Sequence, residues 1–216
     1  IFSDTKKLKI KDKEVLESIF GLKEKKGGYT PAEIAKKYQI NQFDHDGYVV
    51  VNDIFSADEL RELVAITDAA DAEAVAVLAA QPNERIAISE KGAITFAGQL
   101  ASKIPEIRRF VKNPTIMAAC RDLVGPDVRM YHDQAVYKLS EKPRRFPWHQ
   151  DNGYLYVEPQ HYLTCWIALT DATIENGCPQ VVSGLHKDGT LAHYYVDTLG
   201  YECFEEPPSA PIIAEV

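Results

Sequence analysis

The chain has 216 residues, of which 45% are hydrophobic and 26% are charged, and these values suit one folded domain with a continuous core. Its formal net charge of −8 argues against a general nucleic-acid-binding protein. A run of about 18 apolar residues would be needed for a stable membrane span, and the sequence contains none.

The N-terminal segment is rich in lysine. Eight of the 24 cationic residues lie between Lys6 and Lys26, so the rest of the chain is more acidic than the total suggests. We interpret residues 1–28 as an extension with a solvated basic face, and we disfavour the alternative of a membrane or anionic partner. Residues 29–216 are predicted to form the folded domain.

The cysteines show no pairing pattern. No two of them form a CxxC motif, and their spacing is too wide for a typical zinc site. The four residues are Cys120, Cys165, Cys178 and Cys203. The sequence therefore predicts reduced, mostly buried thiols in a cytoplasmic protein.

The chain after this extension opens with helix signals. Residues 30–33 (Thr-Pro-Ala-Glu) form a capping box with proline at the first helical position. They predict a helix that runs to about Phe43 and is broken at Asp46 and Gly47. The apolar residues 48–51 then predict a short strand.

A second capping box, Ser-Ala-Asp-Glu at residues 56–59, begins the next predicted helix. Its apolar stripe runs from Leu60 to Leu78, in one piece or two. Further helices are predicted at residues 104–111 and 114–123.

Short strands separated by turns follow Gly125 and Pro126. Strand-like runs lie at residues 128–139, 155–157, 162–169, 180–182 and 211–216. Helices followed by strands predict an α+β, mainly β fold, in which an antiparallel β core is flanked by N-terminal helices.

His149 and Asp151 are the residues that most directly indicate chemistry. Side chains alternate along a strand, so a His-x-Asp step in an extended segment places the imidazole and the carboxylate on the same face. Two such groups form two corners of the facial triad of two histidines and one carboxylate that binds Fe(II) in non-haem oxygenases. The spacing is common by chance, so its neighbours decide the interpretation.

Those neighbours are four further motifs in a fixed order. Residues 148–152 read Trp-His-Gln-Asp-Asn and are followed by Cys-Trp-Ile-Ala-Leu-Thr-Asp at 165–171. Glu-Asn-Gly-Cys at 175–178 and Val-Ser-Gly-Leu-His-Lys at 182–187 come next, and His-Asp-Gly-Tyr-Val-Val at 45–50 precedes them all. This series resembles the phytanoyl-CoA dioxygenase family over roughly residues 32–216.

The resemblance implies a double-stranded β-helix (a jelly-roll, cupin-like fold), Fe(II) and the co-substrate 2-oxoglutarate. Such an oxidoreductase uses O2 to hydroxylate a small-molecule or lipid-like substrate and releases succinate and CO2. Related halogenases have a small residue at the position of Asp151, so its carboxylate favours a hydroxylase. Desaturation, ring formation and epimerisation occur with the same iron site in some relatives.

The resemblance also implies a third ligand, a distal histidine, followed by an arginine that pairs with 2-oxoglutarate. Neither has a match in this sequence, and residues 211–216 resemble a strand that is only beginning, so we expect both beyond Val216. His186 matches a turn of the family pattern, and His193 is interpreted as a loop residue.

Three further residues are candidates for binding the co-substrate. Gln134 and Lys138 share one face of their predicted strand and could reach a carboxylate, as comparable residues do in the family. Trp166 lies 17 residues after His149 and resembles a family tryptophan beside the co-substrate. For each residue, an ordinary structural role at the barrel rim or in the core is an equal alternative.

Other positions and functions stay open. Residues 81–100 and 186–206 are predicted lid or substrate loops, and Arg144 and Arg145 could attract an anionic substrate. The main alternative function is a catalytically inactive jelly-roll that serves as a binding or scaffold module. A cupin-like metal enzyme that does not use 2-oxoglutarate is a third interpretation.

Overall fold

The computed structural model of the chain describes residues 31–155 and 157–216. Two compact units divide them: the described part of Ile1–Val50 together with Ser183–Lys187, and Val51–Val182 together with Asp188–Val216. The predicted lysine-rich extension at residues 1–28 and the cap at Thr30 lie outside the described residues.

Helix α1, Pro31–Asp46, dominates the first unit. It runs three residues past the predicted end at Phe43 and stops at Gly47, whose φ of 81° lies in the left-handed region. A Cβ at Gly47 would also overlap the His186 ring, so both space and conformation require glycine there. Asp46 accepts a hydrogen bond from the Ser183 hydroxyl at 3.0 Å, which ties Ser183–Lys187 to the helix end. The strand predicted at residues 48–51 does not form.

The second unit begins with one long helix, α2, Ala57–Ala79. The predicted capping box is confirmed: the Glu59 N–H donates to Ser56 Oγ at 3.3 Å, and the Ser56 N–H donates to Glu59 Oε2 at 2.8 Å. The remaining helices are α3, Leu100–Lys103, α4, Pro105–Val111, and α5, Pro114–Val124. The last two confirm the predicted helices at residues 104–111 and 114–123.

A four-stranded antiparallel sheet packs against α2. Its strands, in spatial order, are β1, Arg85–Ile86, β2, Ser89–Glu90, β3, Ile94–Gly98, and β4, Gln134–Lys138. Strands β3 and β4 pair over their full length, from Ile94 opposite Lys138 to Gly98 opposite Gln134. The predicted order, with the helices first and the β core second, is therefore wrong, because β1 to β3 lie between α2 and α3.

Polar contacts join α2 to this sheet. Thr95, which is fully buried, donates its hydroxyl hydrogen to Asp71. The Tyr137 hydroxyl donates to Asp68 Oδ1 at 2.6 Å, and burial raises the pKa of Tyr137 to about 12. The surrounding apolar core consists of Leu63, Ala97, Leu100, Ala101, Ile107, Phe110 and Ala135.

Two small antiparallel sheets complete the second unit. Strand β5, Gln180–Val181, pairs with β8, Ile212–Ile213, and β6, Tyr194–Val196, pairs with β7, Gly200–Glu202. Strands predicted at residues 180–182 and 211–216 are thus confirmed in shortened form, whereas the described residues of 155–157 and 162–169 form none. The antiparallel β character of the prediction holds, since every described strand pair is antiparallel.

The cysteines and the helices bear on two other predictions. Cys120 and Cys178 are buried and Cys203 is partly so, but Cys165 is exposed, so the expectation of mostly buried thiols is wrong for Cys165. Within the described residues, every helix is too short or too polar to cross a membrane.

The cap of α2 gives a stability prediction. Changing Ser56 to alanine removes the side-chain acceptor of the Glu59 N–H, so we expect the free energy of unfolding to fall by about 1 kcal/mol in chemical denaturation. Ser140→Ala, at an exposed serine in a bend, is the matched control and should change it by less than about 0.5 kcal/mol. Equal stability of the two variants would contradict a role for the cap.

Candidate metal centre

His149 and Asp151 lie side by side in the second unit. His149 Nε2 and Asp151 Oδ1 are 3.2 Å apart, as the His-x-Asp spacing predicts. The local backbone is not the predicted strand: Trp148 makes an isolated bridge to Phe204, and Asp151 begins a 3-10 turn, Asp151–Tyr154. Gln150 between them is nevertheless extended, with φ −112° and ψ 134°, so the two side chains still meet although no regular strand forms.

Neighbouring groups fix the orientation of both side chains. His149 Nδ1–H donates to the Pro147 carbonyl oxygen at 2.8 Å, which leaves Nε2 as the nitrogen that faces Asp151. The Thr164 hydroxyl donates to Asp151 Oδ2 at 2.6 Å. The Tyr154 ring stacks on His149 with a centroid distance of 5.6 Å and an interplanar angle of 18°. Hydrogen bonds of this kind orient the ligands of metal sites.

His149 and Asp151 each stabilise the charged form of the other. The hydrogen bond from His149 holds the pKa of Asp151 below its ordinary value, burial opposes this shift, and Thr164 adds to it. Burial lowers the pKa of His149, but the contacts with Asp151 and Pro147 outweigh burial and raise it overall. Asp151 is therefore ionised at neutral pH, and a carboxylate beside an imidazole nitrogen is a donor set that suits Fe(II).

No third histidine, cysteine, aspartate or glutamate completes a metal-binding group in the described part of the chain. Both ring nitrogens of His193 are engaged by Gln150 and Leu191, which agrees with its interpretation as a loop residue outside the ligand set. His132 influences the pair at longer range, since its charge helps to lower the pKa of Asp151.

The three predicted co-substrate residues make no described hydrogen bond to this pair. Gln134 and Lys138 do share the exposed face of β4, where they alternate with Ala135 and Tyr137. Gln134 accepts a hydrogen bond from His132 at 3.4 Å, and the Lys138 ammonium donates to the Gly177 carbonyl oxygen at 2.9 Å. Trp166 is 56% exposed, so it is not a buried core residue of this structure.

Two interpretations of the surroundings are corrected. Arg144 donates to the carbonyl oxygens of Ile88 and Thr198, and Arg145 pairs with the buried Glu202, so both arginines have structural partners and do not form a free anion-attracting pair. Residues 81–100, predicted as a lid loop, instead supply the three strands β1 to β3. The predicted loop at residues 186–206 likewise contains the β6–β7 hairpin.

Two residues that support the pair, Thr164 and Tyr154, could not be identified from the sequence. Thr164 was part of a predicted strand, and only its contact with Asp151 identifies it. Tyr154 follows Asp151 by three residues, and its stacking on His149 depends on the unpredicted 3-10 turn.

Comparisons with known proteins extend this picture. An ectoine dioxygenase of Sphingopyxis alaskensis is 31% identical over 160 residues, which are 69% of this chain and 49% of that protein. The mouse peroxisomal phytanoyl-CoA dioxygenase is 24% identical over 163 residues, 71% of this chain and 48% of its own. The chain thus spans about half the length of these relatives. No solved structure is significantly similar to the chain.

The family comparison covers most of the chain. The sequence model described as Phytanoyl-CoA dioxygenase (PhyH) matches residues 43–210, which include both members of the pair and all the ordered motifs after it. The chain therefore belongs to the phytanoyl-CoA dioxygenase family.

Proposed function

We propose that the chain forms the oxygenase domain of an Fe(II)- and 2-oxoglutarate-dependent dioxygenase that hydroxylates a small-molecule or lipid-like substrate. The observation that carries the proposal is the 3.2 Å approach of His149 Nε2 to Asp151 Oδ1 in a chain of this family. Relatives named ectoine dioxygenase and phytanoyl-CoA dioxygenase support a small-molecule or lipid-like substrate. Succinate and CO2 are the expected co-products, and O2 is the oxidant.

His149 and Asp151 would hold the metal through the Nε2 atom and the carboxylate. Bound Fe(II) would supply the activation of O2, which no protein side chain can perform. The Pro147 carbonyl oxygen would fix the rotation of the imidazole, because it binds Nδ1 and leaves Nε2 to the metal. The Thr164 hydroxyl would fix the rotation of the carboxylate, because it binds Oδ2 and leaves Oδ1 on the side of His149.

The co-substrate would lie against the open face of β4. Gln134 and Lys138 supply an amide and an ammonium on that face, and both groups bind carboxylates. Trp166 stands two residues after Thr164, which touches Asp151, so its exposed indole is available to cover the co-substrate. Lys138 would exchange its bond to the Gly177 carbonyl for the stronger charge-assisted bond to a carboxylate.

Two finer features belong to the same proposal. The antiparallel sheets would form part of a jelly-roll, the fold expected of the family. The Asp151 carboxylate would occupy the position that related halogenases leave for chloride, which favours hydroxylation over halogenation.

Turnover of 2-oxoglutarate tests the proposal against the alternative of an inactive binding module. We expect the full-length protein that contains this chain, with Fe(II), ascorbate and air, to convert 2-oxoglutarate into succinate, slowly without substrate and faster with one. A metal chelator should abolish the reaction. An absence of succinate above the level without Fe(II), in protein that is folded, would support the inactive module instead. Product formation without any need for 2-oxoglutarate would support the cupin-like alternative.

A further inference from the structure

Residues 189–193 run along the backbone that joins the two proposed ligands. His193 Nε2 accepts a hydrogen bond from the Gln150 N–H at 2.9 Å, and Nδ1 lies 2.8 Å from the Leu191 carbonyl oxygen. A backbone N–H can only donate and a carbonyl oxygen can only accept, so these partners select the neutral ring with hydrogen on Nδ1. His193 is thus held as an acceptor that faces the residue between His149 and Asp151.

The same segment holds the motif through side chains as well. Gln150 Nε2 donates to the Gly189 carbonyl oxygen at 3.1 Å, and Gln150 Oε1 accepts from the Leu191 N–H at 2.7 Å. Asn152 Nδ2 donates to Thr190 Oγ1 at 2.7 Å. Both neighbours of Asp151 are therefore fixed to one neighbouring segment.

Gly153 adds a steric observation that is independent of these hydrogen bonds. The His193 ring lies directly over Gly153, and a Cβ built on this glycine would overlap three atoms of the ring. Gly153 does not have a positive φ, so the space taken by His193, and not backbone conformation, is what requires glycine there.

We propose that His193 is a positioning residue for the metal pair, which acts by holding the Gln150 N–H and the backbone of Gly153. This inference rests on the proposed metal role of His149 and Asp151. Because Gln150 lies between them, movement of its peptide changes the distance from the imidazole to the carboxylate. Residues that orient metal ligands from outside the ligand set typically change metal affinity by about 10- to 100-fold when replaced.

Three substitutions of His193 test separately the hydrogen-bond acceptor at Nε2, the donor at Nδ1 and the aromatic ring. Glutamine places an acceptor near the position of Nε2, asparagine places a donor near that of Nδ1, and phenylalanine keeps a ring without either. The readout is Co(II) affinity, measured by titration of the full chain with Co(II) alone. We expect His193→Phe and His193→Asn to weaken Co(II) binding about 10- to 100-fold, and His193→Gln to stay within about 3-fold of wild type.

Gly153→Ala tests the contact between Gly153 and the His193 ring by changing the glycine. If His193→Phe does not fold, Gly153→Ala decides whether His193 is a positioning residue. It should weaken Co(II) binding similarly, because the new Cβ displaces the ring. Gly98→Ala is its control, since a Cβ there makes only an ordinary contact of 3.6 Å, and His161→Phe, at an exposed histidine, controls for His193→Phe. Neither control should alter Co(II) affinity.

The outcomes distinguish this inference from the proposed function. Wild-type protein that fails to bind Co(II), or binds it equally after Asp151→Ala, overturns the proposed function and this inference with it. Wild-type binding that needs Asp151 but is unchanged by His193→Phe and Gly153→Ala overturns the positioning role alone. Equal losses in all three His193 variants, accompanied by equal losses of thermal stability, overturn the acceptor role and leave His193 as a packing residue.

Discussion

Changing Asp151 or His149 to alanine is expected to lower the affinity of the chain for Fe(II) by more than about 100-fold. Loss of a residue that only orients a metal ligand already lowers metal affinity by about 10- to 100-fold, and loss of a ligand itself should cost more. Each substitution removes one of the two donor groups that lie 3.2 Å apart, and the described part of the chain supplies no third. Metal content after anaerobic loading and succinate formation from 2-oxoglutarate are the two measurements.

The controls for this prediction are matched in residue type. Asp127→Ala and His161→Ala remove an exposed aspartate and an exposed histidine, and both should leave metal content and succinate formation at wild-type levels. Asp151→Asn, which keeps the size but removes the charge, should resemble Asp151→Ala. If Asp151→Ala or His149→Ala binds as much metal as wild type, the assignment of these residues as metal ligands is wrong.

The pair could be predicted because its evidence is local. His149 and Asp151 are two residues apart, and ordered motifs on both sides distinguish the pair from a chance occurrence. The contact was right although no regular strand forms: an extended Gln150 followed by a 3-10 turn at Asp151 also brings the two groups together. The two-residue spacing of His149 and Asp151 thus predicts the contact between their side chains better than it predicts the backbone conformation.

Three of the four strands of the sheet could not be predicted, because they depend on distant partners, whereas β4 lies within the run predicted at residues 128–139. Strands β1 and β2 have two residues each, too few to show alternation, and β3 pairs along its full length with β4, which lies far along the chain. Residues 85–98 therefore looked like a loop. The capping box at Ser56 was predictable for the opposite reason, since its whole signal lies within four residues.

Residues that support the site from far along the chain were also missed or misinterpreted. His193 follows Gln150 by 43 residues, and Arg145 precedes Glu202 by 57. An arginine next to a proposed site suggests anion binding when only the sequence is known, but a buried carboxylate that approaches from a later strand changes its role.

That ion pair makes the second prediction of large effect. Glu202 is 1% exposed, and it accepts two hydrogen bonds from the Arg145 guanidinium. Removing one partner of a fully buried pair costs about 3 to 5 kcal/mol, because the other charge stays buried. The Arg145 side chain is 46% exposed, so water screens the pair, and we expect Arg145→Ala to lower the free energy of unfolding by about 2 kcal/mol at neutral pH.

The pH dependence of this loss identifies its cause. The hydrogen bonds from Arg145 hold the pKa of Glu202 below its ordinary value of 4.5, against the effect of burial. In wild type this contribution is present above pH 4.5 and is lost as the pH falls through the lowered pKa. Without Arg145, burial raises the pKa of Glu202, so the variant is penalised at neutral pH and the penalty shrinks once the carboxyl is protonated.

Chemical denaturation at pH 7 and near pH 4 therefore provides the measurement. The stability gap between wild type and Arg145→Ala should be large at the first pH and clearly smaller at the second. Arg121→Ala, at an exposed arginine near the end of α5, should show little gap at either pH. A gap of equal size at both values would mean that Arg145 stabilises the chain through packing of its aliphatic stem, not through the charge of Glu202.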